Sequence, residues 1–198
     1  MSPRPRLLGA VLAGGQSRRL GRDKASEFIH GISLVERAAA VLESTCAKVI
    51  VVSARSDTPS GRWELISDQW DDCGPLGGIE AALSHASERG YDAVFLLACD
   101  LPLVDARTVQ TIVAAAGVAA AAAPEREGVP GFEPLCALYK ASCLAVVREL
   151  LVSGTRAAQA LFHGVDGVLV ASLSAVFLNV NTQEDLDRAR ATLTSKGE

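Results

Sequence analysis

Six consecutive apolar residues, Ala93-Val94-Phe95-Leu96-Leu97-Ala98, run straight into Cys99-Asp100-Leu101-Pro102. A strand without polar alternation has to be covered on both faces, and such strands belong to mostly parallel sheets with helices above and below. Leu7–Leu12 repeats the pattern and breaks at Gly14-Gly15. Around these two runs, strand and helix signals alternate. Further strands are expected at residues 48–52, 64–66, 119–123, 135–139 and 168–172. Helices are expected at 33–43, 76–89, 105–115, 142–151, 155–162 and 182–194. Ser33 with Glu36 forms a capping-box signature, Asp105 is a helix cap, and Thr182 with Asp185 opens the last helix. Ala119 to Ala123 has helix propensity, yet Gly117 and Pro124 bracket only six residues. The alternation calls for a strand there. This pattern predicts a three-layer, doubly wound, mostly parallel α/β sheet, with residues 1–198 forming a single domain.

The 198 residues are enough to bury a core without covalent staples. A formal net charge of −4 with no basic stripe argues against a nucleic-acid partner. An anionic ligand must then be held by a few local cations. Five cysteines, Cys46, Cys73, Cys99, Cys136 and Cys143, form no CxxC pair and are odd in number, which points to reduced thiols in the cytoplasm. Arg4 and Arg6 before an apolar run resemble a short signal peptide, but that run leads directly into a Gly-Gly, cationic loop, so an internal first strand is the better reading. No stretch approaches the ~20 apolar residues of a membrane span.

In doubly wound sheets, ligands lie outside the carboxyl ends of the strands. The first such loop reads Leu12-Ala13-Gly14-Gly15-Gln16-Ser17-Arg18-Arg19-Leu20-Gly21-Arg22-Asp23-Lys24. Glycines let backbone N–H groups approach a phosphate chain, and the cations Arg18, Arg19, Arg22 and Lys24 answer its charge. The spacing is neither GxGxxG nor Walker A. A solvated basic loop is the plainer alternative. Asp100 follows the most apolar strand, where a carboxylate is costly unless paired with a cation. Magnesium, which takes one or two carboxylates plus phosphate oxygens, suits it. A turn-capping Asp before Pro102 is the competing explanation.

Asp68 precedes Cys73-Gly74-Pro75-Leu76-Gly77-Gly78, where glycines at a helix start could press backbone against a base or ribose. An ordinary helix-entry turn would also explain them. Asn179 and Asn181, in Phe177-Leu178-Asn179-Val180-Asn181-Thr182, fall on one side at period two and could offer neutral amides to a ligand. Asn also simply favours turns. His30, His85 and His163 are scattered, with neither metal spacing nor a catalytic neighbour.

Taken together, these residues resemble the molybdenum cofactor guanylyltransferases. The pieces run in family order from residue 7 to about 190: Leu12 to Gly15 with Ser17, Arg19, Gly21, Asp23 and Lys24; Asp68; Gly74 to Gly78; Cys99 to Pro102; Pro134-Leu135-Cys136-Ala137-Leu138-Tyr139; Asn179-Val180-Asn181-Thr182 and Glu184-Asp185-Leu186. The first loop is shared by many nucleotidyltransferases, whereas the Asn-Val-Asn-Thr ending is narrower. The resemblance implies a Rossmann-like nucleotidyltransferase fold, GTP as donor, Mg2+ as metal and molybdopterin (molybdenum cofactor) as acceptor. It also implies molybdoenzymes or other proteins of the cofactor pathway as partners, without nucleic acid or membrane.

Residue by residue, it assigns Leu12, Ala13, Gly14, Gly15, Lys24, Ser53, Asp68 and Asp100 to the nucleotide. Asp100 takes the metal, and Arg19, Lys24 and Asp100 take the catalytic roles. Asn179 and Asn181 take the acceptor. The part up to about residue 100 would bind nucleotide and the rest would supply the acceptor side. The chain departs from the family at Leu20, often Met; at Ser53, often Asn; and at Glu133, more often uncharged or His. A carboxylate at 133 facing an anionic acceptor is expected to repel it.

A phosphate acceptor needs no general base, because its second pKa of ~6 leaves it largely dianionic at neutral pH. That agrees with the lack of a convincing catalytic His or Cys. Three alternatives stay open on sequence. One is a cytidylyltransferase of the same cofactor, although those tend to have Ala in place of Gly14. Another is a nucleotidyltransferase acting on a sugar phosphate or other small phosphorylated acceptor. The third is a nucleotide-binding regulator without catalysis.

Overall fold

The computed structural model describes residues 6–13, 27–68, 70, 73–126, 131–171 and 177–195. A seven-stranded sheet has the order β5-β4-β1-β6-β8-β7-β9. Its strands are β1 (Leu7–Leu12), β4 (Lys48–Ser53), β5 (Glu64–Ser67), β6 (Ala93–Ala98), β7 (Ala121–Pro124), β8 (Cys136–Lys140) and β9 (Gly167–Val170). The helices are α1 (Leu34–Glu43), α2 (Pro75–Glu88), α3 (Ala106–Ala116), α4 (Leu144–Val152), α5 (Ala158–His163) and α6 (Gln183–Ser195). A short hairpin, β2 (Phe28–Ile29) with β3 (Ile32–Ser33), lies outside the sheet.

The unbroken apolar runs are explained by a core on each face. Leu7 and Val11 of β1, with Phe95 and Leu97 of β6, pack with α1, α3 and α6. Leu8, Ala10 and Leu12, with Val94 and Leu96, pack with α2, α4 and α5. Each alternate side chain therefore finds an apolar partner, which is why neither strand can carry a polar residue. Gly9 lets α1 close on the sheet, since a Cβ there would lie 3.0 Å from the Leu42 Cβ and 3.1 Å from the Cys46 sulfur.

Ser33 and Glu36 form the expected capping box at α1, with both reciprocal bonds present. Such a cap is worth about 1 kcal/mol. Asp105 caps α3 by accepting from the Thr108 N–H at 2.8 Å. The alanine-rich segment is indeed a strand. Ala122 points into one core and Ala121 and Ala123 into the other, all fully buried, so small side chains fill a narrow space between layers.

Three details differ from the sequence expectation. β8 runs antiparallel to both neighbours, β6 and β7, within an otherwise parallel sheet. Among the described residues no helix lies between β7 and β8, and two strands so joined are free to pair antiparallel. The β2–β3 hairpin was not foreseen, because two-residue strands carry no periodicity. It turns at His30 and Gly31, both at positive φ (50° and 79°). Finally, α5 starts at Ala158 instead of 155. Among the described residues, no helix is long and apolar enough to cross a membrane.

Candidate active site

Backbone hydrogen bonds stitch the carboxyl ends of the central strands into one rim. The Ala13 N–H donates to the Val52 carbonyl at 2.9 Å, joining the ends of β1 and β4. The Asp68 N–H donates to Ser53 at 3.3 Å, and the Cys99 N–H donates to Leu12 at 3.1 Å. On the other side, Val180 donates to the Asp100 carbonyl at 2.8 Å, and Ala98 donates to Leu135 at 2.8 Å. Leu12, Ala13, Ser53, Asp68 and Asp100 thus share one edge of the sheet, and the Asn179 segment is tied to it. Gly14, Gly15, Arg19 and Lys24 lie outside the described residues, as do Arg18 and Arg22.

Asp68 directly follows β5 and accepts the Trp70 N–H at 2.9 Å. Its carboxylate lies on Gly77, in the first turn of α2: a Cβ on Gly77 would fall 2.5 Å from both carboxylate oxygens. Gly78 faces the sheet, where a Cβ would meet Leu12 at 3.3 Å. These glycines therefore make room for Asp68 and for close helix–sheet packing. Gly74 precedes the helix at φ 59° and ψ −150°, a conformation that strains any side chain. Ser53 is buried, and its hydroxyl is shared with Thr58 at 2.7 Å and accepts the Arg55 N–H at 3.1 Å. Its side chain shapes the loop after β4.

Beside this rim opens a cleft of about 390 Å³ lined by Arg126, Glu133, Leu135, Gln159, Asn179 and Asn181 among others. Both asparagines reach it, as their spacing predicts. The Arg126 guanidinium donates to Asn179 Oδ1 at 2.6 Å and lies 3.4 Å from Glu133 Oε2. Asp185 accepts the backbone N–H groups of Asn181 and Thr182, each at 3.0 Å, and these bonds hold its carboxyl below the ordinary range. The turn carrying Asn181 is thereby anchored to the first turn of α6.

Glu133 is 6% exposed. Burial pushes its carboxyl above the ordinary value, the Asp100 charge adds to that, and Arg126 and the Leu135 N–H oppose it. The expected repulsion between a bare carboxylate and an anionic acceptor is therefore offset, since Glu133 faces its own arginine. Arg126 is the residue that sequence reasoning missed. It is an ordinary surface-type residue in sequence, and its partner Asn179 lies 53 positions away.

Among the described residues, no group of three His, Cys, Asp or Glu side chains could hold a metal alone. Asp100, a single half-buried carboxylate at a strand end, fits a cation that brings water and phosphate oxygens as its other ligands, as magnesium does. Zinc would need three or four protein ligands. All five cysteines are free thiols. Burial raises Cys46 to about 12 and Cys143 to about 11, so neither forms a thiolate nucleophile. His85 accepts from Arg89 at 2.9 Å, and burial lowers its pKa. Among the described residues, no histidine lines the cleft.

The MobA-like NTP transferase domain matches residues 9–184 of this chain, covering both the rim and the cleft. The chain belongs to that family. It is a nucleotidyltransferase, with the mostly parallel, Rossmann-like sheet of such enzymes. Among MobA-like relatives, a probable molybdenum cofactor guanylyltransferase of Opitutus terrae is 33% identical over 93% of this chain and 95% of its own length. A molybdenum cofactor guanylyltransferase of Desulfosudis oleivorans is 32% identical, with the same coverage. The crystal structure of molybdopterin-guanine dinucleotide biosynthesis protein A from Archaeoglobus fulgidus superposes with a TM-score of 0.79 at 23% identity, covering 95% of this chain and 99% of that one. The 2-C-methyl-D-erythritol 4-phosphate cytidylyltransferase of Thermus thermophilus shares the fold, with a TM-score of 0.73 at 18% identity over 93% and 98% of the two chains.

Proposed function

We propose that this MobA-like enzyme transfers GMP from GTP to the terminal phosphate of molybdopterin, giving the guanine dinucleotide form of the cofactor and pyrophosphate. The observation that carries this reading is the rim itself. Asp100 follows the central strand, and its carbonyl accepts the N–H of Val180, which lies between the two asparagines that line the cleft; this supports a carboxylate-held cation shared by a nucleotide on one side and an acceptor on the other. Relatives named for this activity, aligned over nearly the whole chain, support the same choice of substrates.

In this reading, a terminal phosphate oxygen of the acceptor attacks the α-phosphorus of GTP. A P–O bond forms, the bond to the β-phosphate breaks, and pyrophosphate leaves with the electron pair. No side chain need remove a proton, because the attacking monoester is already mostly dianionic. The protein's work is then alignment and charge compensation. Leu12, Ala13, Gly14, Gly15 and Asp68 bind the nucleotide, Arg19 and Lys24 offset the charge that builds on the leaving group, and Asn179 with Asn181 holds the acceptor. Asp100 would hold Mg2+, which when bound supplies positive charge to the phosphate oxygens.

The test is to incubate the protein and Mg2+ with molybdopterin and each nucleoside triphosphate in turn, identifying products by mass. A guanine dinucleotide formed from GTP alone is expected. A cytosine product, or transfer only to a sugar phosphate, would replace this reading with another transferase specificity. Nucleotide binding without pyrophosphate release would make the chain a binder.

A further inference from the structure

Arg126 and Glu133 sit on two segments, 124–126 and 131–133, that backbone pairing holds together. The Arg126 N–H donates to the Gly131 carbonyl at 2.9 Å, the Glu133 N–H donates to Pro124 at 3.0 Å, and Glu125 bridges Phe132 between them. The Leu135 N–H donates to the Glu133 carboxylate at 3.3 Å, which fixes that side chain from below. Glu133 is buried, so its charge is best compensated by a guanidinium kept at one position. That guanidinium reaches across the cleft to Asn179.

A guanidinium has only donors, so the Asn179 atom 2.6 Å from it must be the amide oxygen. A flipped amide would set NH2 against NH2. Asn179 is thereby left with its two amide hydrogens to offer to the cleft it lines. We propose that Arg126, braced by Glu133, is a positioning residue that fixes the Asn179 amide as a hydrogen-bond donor, so that this wall selects an acceptor-substrate atom carrying a lone pair: a ring nitrogen, carbonyl or phosphate oxygen. The proposal rests on the reading above that the cleft receives the acceptor.

The prediction is a split between binding constants. Arg126→Ala should raise KM for molybdopterin about two- to thirteenfold, the usual range for one lost neutral hydrogen bond, with kcat and the GTP Kd unchanged within about twofold. Asn179→Asp keeps an oxygen for Arg126 but loses both donors, and should impair acceptor KM as much as Asn179→Ala. Glu133→Gln, which still offers an oxygen to Arg126, should retain most of the acceptor affinity that Glu133→Ala loses. The Arg126→Ala, Asn179→Ala double variant should be no worse than Asn179→Ala alone. Full acceptor affinity in Asn179→Asp, or additive losses in the double variant, would overturn the proposal.

A ligand-free measurement separates this from a wrong choice of substrate. In isotope-labelled protein, the Asn179 side-chain amide signals should shift on Arg126→Ala; unchanged signals would refute the proposal, whatever the acceptor is. If the parent enzyme makes no guanine dinucleotide while those signals do shift, the choice of acceptor fails and the positioning role stands.

Discussion

From β5 to β6, the rim is assembled by main chain: neighbouring parallel strands pass hydrogen bonds across their carboxyl ends, and Asp68 is seated by the missing side chain of Gly77. On the far side of β6 the sheet turns antiparallel, and the cleft wall is assembled by side chains, with Arg126 linking Glu133 to Asn179. The first construction leaves little freedom at the ends of the strands, which suits a ligand recognised through backbone and charge. The second depends on three separate residues, each replaceable, which suits the place where related enzymes would differ in acceptor. Asp100 belongs to both: its strand lies in the parallel part, and its carbonyl receives Val180 from the other.

The largest effect is expected where the two regions meet. Asp100→Ala should lower kcat by about 10²–10³-fold or more while the melting temperature stays near that of the parent, because a charge and not a packing group is removed. Stopped turnover with intact folding, measured by pyrophosphate release and thermal unfolding, is the expected result. Activity within a few fold of the parent would remove Asp100 from the chemistry.

Next comes Gly77→Ala, which probes the main-chain half alone. The added methyl would have to displace the Asp68 carboxylate, the flexible partner in that contact. GTP affinity should fall about ten- to a hundredfold, the cost of a lost charge-assisted bond, and by the same factor as in Asp68→Ala. Molybdopterin affinity should not change in either variant. Titration of both ligands checks it, and an undiminished GTP affinity would detach Asp68 from the nucleotide.

The smallest effect sharpens the side-chain half. Burial raises the Glu133 pKa in the folded protein, so the folded state holds that proton more tightly than the unfolded chain does. The ionised form therefore subtracts stability. That penalty is absent below the ordinary carboxyl value of 4.5 and grows as pH rises through the folded-state value. Glu133→Gln should raise the melting temperature by a few degrees at pH 7–8, with the gain shrinking toward pH 4. A variant less stable at neutral pH would mean that the ion pair with Arg126 outweighs the burial of the charge.

The same contrast explains what could be read in the sequence. β1 and β6 are legible because burial on both faces leaves no room for polar residues, and the capping box at Ser33 and Glu36 because it is a local code. Ala121–Pro124 is legible only by its bracketing Gly117 and Pro124, which overrule alanine's helix preference. The direction of β8 was readable in principle, because the stretch from Pro124 to Pro134, with Gly128, Pro130 and Gly131, carries no helix signal. The Arg126–Glu133–Asn179 chain was not: nothing local distinguishes Arg126, and Glu133 reads as a source of repulsion in the absence of its distant partner. Gly77 is legible as a site glycine, but the room it leaves for Asp68 is a contact between loop and helix that spacing does not encode.

The claim that the two constructions serve two different ligands is tested most directly by a pair of titrations on the Asn179→Ala, Asn181→Ala double variant, one with GTP and one with molybdopterin. Two neutral hydrogen bonds are worth about 1–3 kcal/mol, so molybdopterin binding should weaken roughly five- to a hundredfold while GTP binding stays within about twofold. A selective loss of GTP binding, with molybdopterin unaffected, would contradict the account and exchange the roles of the two sides.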